Sequence, residues 1–253
     1  MIWNFNPIAF SVFGVTVRWY GLTYLLGAVF GATIGFKTQK KLLKQPLHRS
    51  DWIDLVSSTL IAGIIGGRLG EFLFYQTDIL LSDPLEVLAI WNGGMSIHGG
   101  ILGAALYLWF FTKSKNISFL RMADSLVIPL SLSLAFGRIA NFINGELPGQ
   151  PTNTDWGVIF PHVDNVLRHP TQLYESGWSF ITTILLALLF WTHKTKKGNL
   201  SAWFLVLYGV GRFIIEFWKT GNRYGEFTIG QYLCMVMVVF AIGIWYKHTK
   251  NSQ

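Results

Sequence analysis

Seven long apolar stretches divide the 253-residue chain, and nothing else in it so narrows what it can fold into. They run near residues 19–36, 52–74, 95–112, 123–143, 173–191, 200–218 and 229–246. About 20 apolar residues in a helix cross the ~30 Å hydrocarbon layer. Only helices and closed barrels satisfy every backbone polar group there. Composition agrees, with 51% hydrophobic and 13% charged residues, against about 25% charged in a soluble domain. The fold class expected is an all-α integral membrane protein with about seven transmembrane helices, and a disordered or water-facing chain is excluded.

Basic residues between the stretches set the orientation, because loops rich in Lys and Arg stay in the cytoplasm. Lys37, Lys40, Lys41, Lys44 and Arg49 follow the first stretch, and Lys113, Lys115 and Arg121 the third. Lys194, Lys196 and Lys197 follow the fifth, and Lys247 and Lys250 the seventh. The N-terminus is therefore expected outside and the C-terminus in the cytoplasm. The net charge of +7 reports this topology, and nucleic acid is not expected as a partner. The seven remaining basic residues fall on the outer side: Arg18, Arg68, Arg138, Arg168, Arg212, Lys219 and Arg223. Six of them are Arg, a planar fork suited to bidentate grip of phosphate or carboxylate.

Residues 1–253 read as a single transmembrane domain. Residues 1–18 lack the basic start of a cleavable signal peptide and are expected to form an interfacial arm on the outer face. The segment 78–94 is too short and too polar to span, and should lie along the outer interface or dip into it. The connection 147–171 holds Pro148, Pro151, Pro161 and Pro170, and reads as a small cap or loop on the outer side. Glycines spaced by four (Gly27–Gly31–Gly35, Gly63–Gly67 and Gly99–Gly103) allow helix backbones to approach closely in lipid. The single cysteine, Cys234, excludes a disulfide framework and reads as a small buried hydrophobe.

Ionisable residues inside spans are costly and mark function by default. Here they gather toward one end of the spans. Arg68 and Glu71 share a face of the second; His98 opens the third; Arg138 and Asn141 end the fourth, followed by Asn144, Gly145 and Glu146. Gln172, Tyr174 and Glu175 begin the fifth, and Arg212 and Glu216 lie four apart in the sixth. Arg68 with Glu71, and Arg212 with Glu216, could simply neutralise each other. One polar cavity open to the outer leaflet would accommodate them all. His98 is the one histidine of six placed at membrane depth, and lies in the run Asn92-Gly93-Gly94-Met95-Ser96-Ile97-His98-Gly99-Gly100. Glycines at a helix start let backbone N–H groups approach an anion.

No nucleophile elbow, HExxH motif or P-loop is present, and no metal or cofactor is expected. Several arginines at the outer leaflet suit a single phosphate or phosphodiester, which anionic phospholipids supply at that depth. The residues alone point to an enzyme acting on a lipid head group. An anion transporter is the competing reading, but it would spread ionisable residues over both membrane halves, whereas Asp54 and Asp124 lie near the cytoplasmic ends. A lipid-binding scaffold without turnover would leave His98 unexplained.

The run Gly137-Arg138-Ile139-Ala140-Asn141-Phe142-Ile143-Asn144-Gly145-Glu146-Leu147-Pro148-Gly149 resembles the signature of the bacterial prolipoprotein diacylglyceryl transferase family, G-R-x-[GA]-N-F-x-N-x-E-x-x-G. Arg18 to Leu22, Gly67-Arg68, Met95 to Gly100, Arg168 to Glu175, and Tyr208-Gly209 with Arg212 and Glu216 match it in the same order. The resemblance implies transfer of a diacylglyceryl group from phosphatidylglycerol to the lipobox cysteine thiol of a prolipoprotein signal peptide. A thioether forms and glycerol phosphate leaves, in the bacterial inner membrane with the active site toward the periplasmic leaflet. It implies that Arg138 and Arg212 clamp the phosphate and that His98 takes the thiol proton, unless neighbouring Arg lower the thiol pKa enough. Asn141 and Asn144 would orient the glycerol, and Glu146 would position an Arg or a head-group hydroxyl. Tyr20 would line the cavity, and Glu216 would hold Arg212 in its working rotamer. Arg68, Gly99, Gly100 and Gly149 complete the expected substrate-binding set. Another lipid head-group transferase is the nearest rival.

Overall fold

The computed structural model describes residues 1–12, 15–74, 76–89, 94–192, 196–221 and 223–250. Asn92 and Gly93 of the glycine run, and the loop residues His193 and Lys194, lie outside them. The chain is helical, and among the described residues six helices are long and apolar enough to cross a membrane: Trp19–Leu42, Arg49–Leu73, Phe119–Ile143, Thr171–Thr192, Asn199–Trp218 and Ile229–Lys247. The third expected stretch forms a helix, Ile97–Ser114, but is not among the six. Its opening Ile97-His98-Gly99-Gly100 and closing Lys113-Ser114 dilute the apolar run between them. Three two-stranded antiparallel ladders add β-structure that the apolar periodicity does not announce.

Two compact units are distinguished, Met1–Gly35 with Ala123–Gln253, and Phe36–Met122. The first unit opens with β1 (Ile8–Val12) and β2 (Val15–Arg18), an antiparallel ladder within the expected N-terminal arm. Next come α1 (Trp19–Phe30) and a π-helical turn at Gly31–Gly35, so the first glycine stripe partly serves a wider helical turn. A Cβ at Gly27 would lie 3.1 Å from Ser133 Oγ. That serine belongs to α6 (Phe119–Ile143).

The first unit continues with the ladder of β3 (Val158–Ile159) and β4 (Leu167–Arg168). Then come α7 (Thr171–Thr192), α8 (Asn199–Ile215) and a 3₁₀ turn, Glu216–Trp218. The ladder of β5 (Arg223–Tyr224) and β6 (Phe227–Thr228) leads into α9 (Ile229–Lys250).

Apolar side chains cannot drive association among helices that lipid solvates equally well, so interhelical hydrogen bonds and close packing must do it. Ser131 Oγ of α6 donates to Ser179 O of α7 at 3.0 Å, and Ser176 Oγ of α7 returns a bond to Ala135 O at 2.9 Å. The Trp178 indole donates to Leu207 O of α8 at 2.7 Å, lying over Gly211, where any Cβ would collide with the ring. Asp124, fully buried in α6, caps the start of α8 from outside that helix. It accepts from Gly198 N (2.6 Å), Ser201 N (2.8 Å) and Ser201 Oγ (2.8 Å). A carboxylate there meets orphan N–H groups and the positive helix end together.

The second unit comprises α2 (Phe36–Leu42), α3 (Arg49–Phe74), α4 (Thr77–Ser82), a 3₁₀ turn at Pro84–Leu88 and α5 (Ile97–Ser114). Helices α3 and α5 meet backbone to backbone. The closest approach on α3 uses Ala62, Gly66 and Gly70: a Cβ at Gly70 would lie 2.7 Å from Gly99 Cα, and one at Gly103 would strike Ala62 O. Gly63 and Gly67, the pair singled out in the sequence, flank this seam at looser distances, while Gly99 and Gly103 lie on it. The short α4 and the following turn agree with a non-spanning segment.

Asp124→Ala leaves two backbone donors and one hydroxyl buried, and should destabilise the protein by about 2–3 kcal/mol. Thermal unfolding in detergent unchanged by the substitution would contradict the capping role. Gly103→Leu should force α3 and α5 apart at a cost of about 1–3 kcal/mol, read as lost cross-linking between cysteines placed on the two helices.

Candidate active site

Helix α6 brings Arg138 inward one turn before its end, and α8 brings Arg212 inward one turn before its own. Both are only 19% exposed in their side chains, and both reach the same acid on α7. Arg138 Nε lies 2.6 Å from Glu175 Oε2, and Arg212 Nη1 lies 2.8 Å from Glu175 Oε1. Lys219, just beyond α8, adds its Nζ to that Oε1 at 2.8 Å. Helix α7 carries no Lys or Arg between Thr171 and Thr192. Its buried carboxylate can therefore be neutralised only from other helices, a signal present in the sequence. Spacing along single helices assigns no role to Glu175 or to Lys219, and the structure makes both of them central.

Arg212 also pairs with Glu216 at 2.7 Å within its own chain segment, as the spacing of four allows. Glu216 is itself held from α9. Thr228 Oγ1 donates to Glu216 Oε1 (3.0 Å) and accepts from Gln231 N (3.2 Å), while Thr228 N donates back to Gln231 Oε1 (3.0 Å). This reciprocal Thr-x-x-Gln arrangement is a capping box, and it places the carboxylate that places Arg212. A Cβ at Gly230 would lie 2.7 Å from Glu216 Oε1, so a glycine lets the acid sit against the helix start.

The end of α6 forms a second polar chain. Arg138 Nη1 donates to Asn141 Oδ1 at 3.3 Å, and Asn141 Nδ2 to Glu146 Oε2 at 2.8 Å. Asn144 Nδ2 reaches Glu146 Oε1 at 3.1 Å, and Gln172 Nε2 donates to Glu146 O. Asn144 Oδ1 and Gln172 Oε1 are buried without a hydrogen-bond partner among the described residues. Such unpaired acceptors mark a place where a ligand hydroxyl would gain a bond. Arg138, Asn141, Asn144 and Glu146 are thus joined in one network.

Gly149 is enclosed by backbone. A Cβ there would lie 2.6 Å from Trp218 O and 2.7 Å from His169 O. Gly149 N donates to His169 O (2.9 Å), Gln150 N to Trp218 O (2.8 Å) and Gln150 Nε2 to Lys219 O (2.8 Å). The connection 147–171 is therefore stitched to the segment that carries Lys219. Trp3 Nε1 donates to Phe142 O (2.8 Å) and its ring joins the small core of Phe142, Val158 and Phe160. Tyr20, in the first turn of α1, is half-buried.

The remaining expected residues belong to the second unit. Arg68, 4% exposed, spends its guanidinium on carbonyls: Nε on Val87 O (3.1 Å), Nη2 on Glu86 O (2.6 Å) and Ala89 O (2.8 Å), and Nη1 on Gly94 O (3.2 Å). Glu86 Oε1 lies 3.6 Å from Nη2, and the Phe72 ring lies under the cation at 4.7 Å. Glu71, three residues on from Arg68, accepts from Gln76 Nε2 at 3.1 Å. Arg68 thus ties Glu86, Val87, Ala89 and Gly94 to α3. His98 is exposed in the first turn of α5, after the N-cap Ser96, whose Oγ accepts from Gly99 N at 3.3 Å. Gly99 is buried against α3, and Gly100 is half-buried with its Cβ position 3.3 Å from Gly63 O.

Glu175, Trp178, Ser179, Tyr208, Arg212 and Ile215 line a cavity beside the cluster with room for about one water. Burial pulls the Lys219 ammonium below its ordinary value, and the Glu175 carboxylate opposes that shift. Nearby, His169 Nδ1 lies 3.1 Å from the Tyr174 hydroxyl, which also accepts from Trp156 Nε1 at 2.8 Å. Burial holds His169 below its ordinary 6.5. The unfolded chain therefore takes up this proton at higher pH than the folded one. Acidification from 6.5 down to the folded value should cost stability that is fully present at neutral pH. Histidine NMR should show His169 titrating below 6.5, and a midpoint at or above that value would contradict the assignment.

A family model described as prolipoprotein diacylglyceryl transferase matches residues 7–247. The phosphatidylglycerol–prolipoprotein diacylglyceryl transferase of Legionella pneumophila (strain Lens) is 38% identical over 252 residues, covering 96% of this chain and 97% of the relative. The protein of that name from Bordetella avium (strain 197N) is 38% identical over 258 residues, covering 99% and 97%. That from Oleidesulfovibrio alaskensis is 37% identical over 262 residues, covering 98% and 96%. With the signature of α6 built into one polar network and similarity running from end to end, the chain belongs to the prolipoprotein diacylglyceryl transferase family.

Proposed function

We propose that this chain is a transferase that moves the diacylglyceryl group of phosphatidylglycerol to the lipobox cysteine of a prolipoprotein. The observation that carries the reading is the convergence of Arg138 and Arg212, from two helices, on a single buried anion. Two guanidinium groups already gathered about one carboxylate are preorganised for a phosphate, and such electrostatic preorganisation usually contributes more to catalysis than any other effect.

In the proposed step the cysteine sulfur attacks the glyceryl carbon. The new C–S bond is the thioether, the C–O bond to phosphate breaks, and glycerol phosphate departs with the electron pair. Arg138 and Arg212 stabilise the charge gathering on that leaving group, and Glu216 fixes the Arg212 rotamer from its capped position. Asn141, Asn144 and Glu146 engage the glycerol head, for which Asn144 Oδ1, without a hydrogen-bond partner among the described residues, supplies an acceptor. His98 takes the thiol proton, because the thiolate is the nucleophile and a free thiol has a pKa near ~8.5. Tyr20 lines the lipid cavity. Arg68 acts through the segment it holds, and Gly99, Gly100 and Gly149 act through the close backbone approaches they permit.

The same reading makes 1–253 one catalytic domain in the bacterial inner membrane. It has seven spans with α5 as the third, the N-terminus outside, the C-terminus cytoplasmic and 147–171 as a periplasmic cap. The Lys-rich loops support this orientation, and the exposed Leu81, Leu85 and Leu88 suit a segment resting at the lipid interface.

Purified protein incubated with phosphatidylglycerol and a lipobox peptide should yield a thioether-linked diacylglyceryl peptide, read by mass spectrometry. Arg138→Lys and Arg212→Lys should each lower turnover by about 10²–10³. Near-normal turnover in both variants would remove the clamp. His98→Gln should lose activity at neutral pH and regain it as pH approaches the thiol's own ~8.5. Full activity at neutral pH would remove the base role alone. Modification of a different acceptor, with no peptide product, would favour another head-group transferase.

A further inference from the structure

The carboxylate at the centre of the cluster occupies the position where the arginines would meet a phosphate. Glu175 is 6% exposed in its side chain, and the adjoining cavity is too small for a phosphodiester. A phosphate that takes up the guanidinium atoms now turned to Glu175 would compete with that carboxylate for them. The charges match, since a carboxylate and a phosphodiester each carry a single negative charge. Among the described residues, both carboxylates contact Arg212 through Nη1, and Glu175 contacts Arg138 through Nε. Arg212 thus already shares its guanidinium between two anions, Glu175 and Glu216.

What opposes such an exchange is the fate of Glu175. Stripped of both arginines it would be a buried, unpaired charge next to a phosphate, the costliest state available to it. Lys219 removes that obstacle. Its Nζ lies 2.8 Å from Glu175 Oε1, its side chain is 13% exposed, and its backbone is clamped by Gln150 Nε2 at Lys219 O (2.8 Å) and Gln150 N at Trp218 O (2.8 Å). An ammonium on a flexible stem keeps a point-charge contact while its partner shifts, which a planar fork does less well.

We propose that Glu175 is a resident anion displaced from Arg138 and Arg212 by the substrate phosphate, and that Lys219 is the positioning residue that retains Glu175 during the exchange. The proposal rests on the reading of this cluster as the phosphate site of a phosphatidylglycerol-consuming transferase.

The test uses the full-length protein in nanodiscs, with phosphatidylglycerol binding followed by native mass spectrometry and turnover followed with a lipobox peptide. Glu175→Gln removes the competing charge and should tighten phosphatidylglycerol binding by about 10-fold, even where turnover falls. Lys219→Met should weaken binding by about 10-fold, with the loss falling on KM more than on kcat, and Lys219→Arg should recover part of it. In the Glu175→Gln background the effect of Lys219→Met should shrink to less than about 2-fold, because the charge it serves is gone.

Weaker binding in Glu175→Gln, or an equal Lys219→Met effect in both backgrounds, would overturn the exchange. If Lys219→Met does not fold, the direction of the Glu175→Gln effect decides alone. A wild-type protein that binds phosphatidylglycerol no better than a zwitterionic lipid, or forms no thioether, defeats the underlying reading instead, and so the two failures are told apart.

Discussion

A carboxylate buried among helices is tolerable only if cations come to it, and Glu175 obliges three other parts of the chain to do so. Arg138 arrives from α6, Arg212 from α8 and Lys219 from the segment after it. Removing any one of them would leave charge in a medium that solvates it poorly. The height at which α6, α7 and α8 meet is thereby set to within a side chain's reach. Glu216 extends the constraint to α9 through Thr228, so the start of that helix is positioned by the charge network as well.

The two units are held together internally by different physics. In Phe36–Met122, glycine and alanine bring the backbones of α3 and α5 into direct contact, and dispersion over that seam does what apolar burial cannot do in lipid. In the larger unit the helices are pinned by discrete polar contacts: Ser131 to Ser179, Ser176 to Ala135, Trp178 to Leu207, and Asp124 to the start of α8. A polar pin resists sliding and rotation because its geometry is directional. That rigidity suits the unit that carries the arginine pair.

Much of the candidate site was legible as spacing along one helix. The offset of three between Arg138 and Asn141, and of four between Arg212 and Glu216, places each pair on one face, and the corresponding contacts are present. The capping box at Thr228 and Gln231 is equally local, and its spacing stands in the sequence. Pairings across helices were less accessible. Arg68 has an acid three residues away, yet its guanidinium is spent on the carbonyls of Glu86, Val87, Ala89 and Gly94, because four main-chain acceptors satisfy more of its donors than one side chain. The glycine pair Gly63–Gly67 had the right spacing but lies beside the seam, since spacing of four fits two neighbouring faces of a glycine-rich helix.

The sequence alone determined the medium, the helical class and the family signature, because span length, hydropathy and a contiguous motif are local properties. It also determined which residues would need partners, since an ionisable group at membrane depth cannot stay unpaired. Which partner each group takes was decided by tertiary structure. Helix rotation and height choose among chemically equivalent acids and bases, and those are settled by packing over the whole bundle. Hence Glu175, a single acid on a helix without a cation, became the meeting point of the basic residues, and Lys219 gained its place through contacts made by a distant loop.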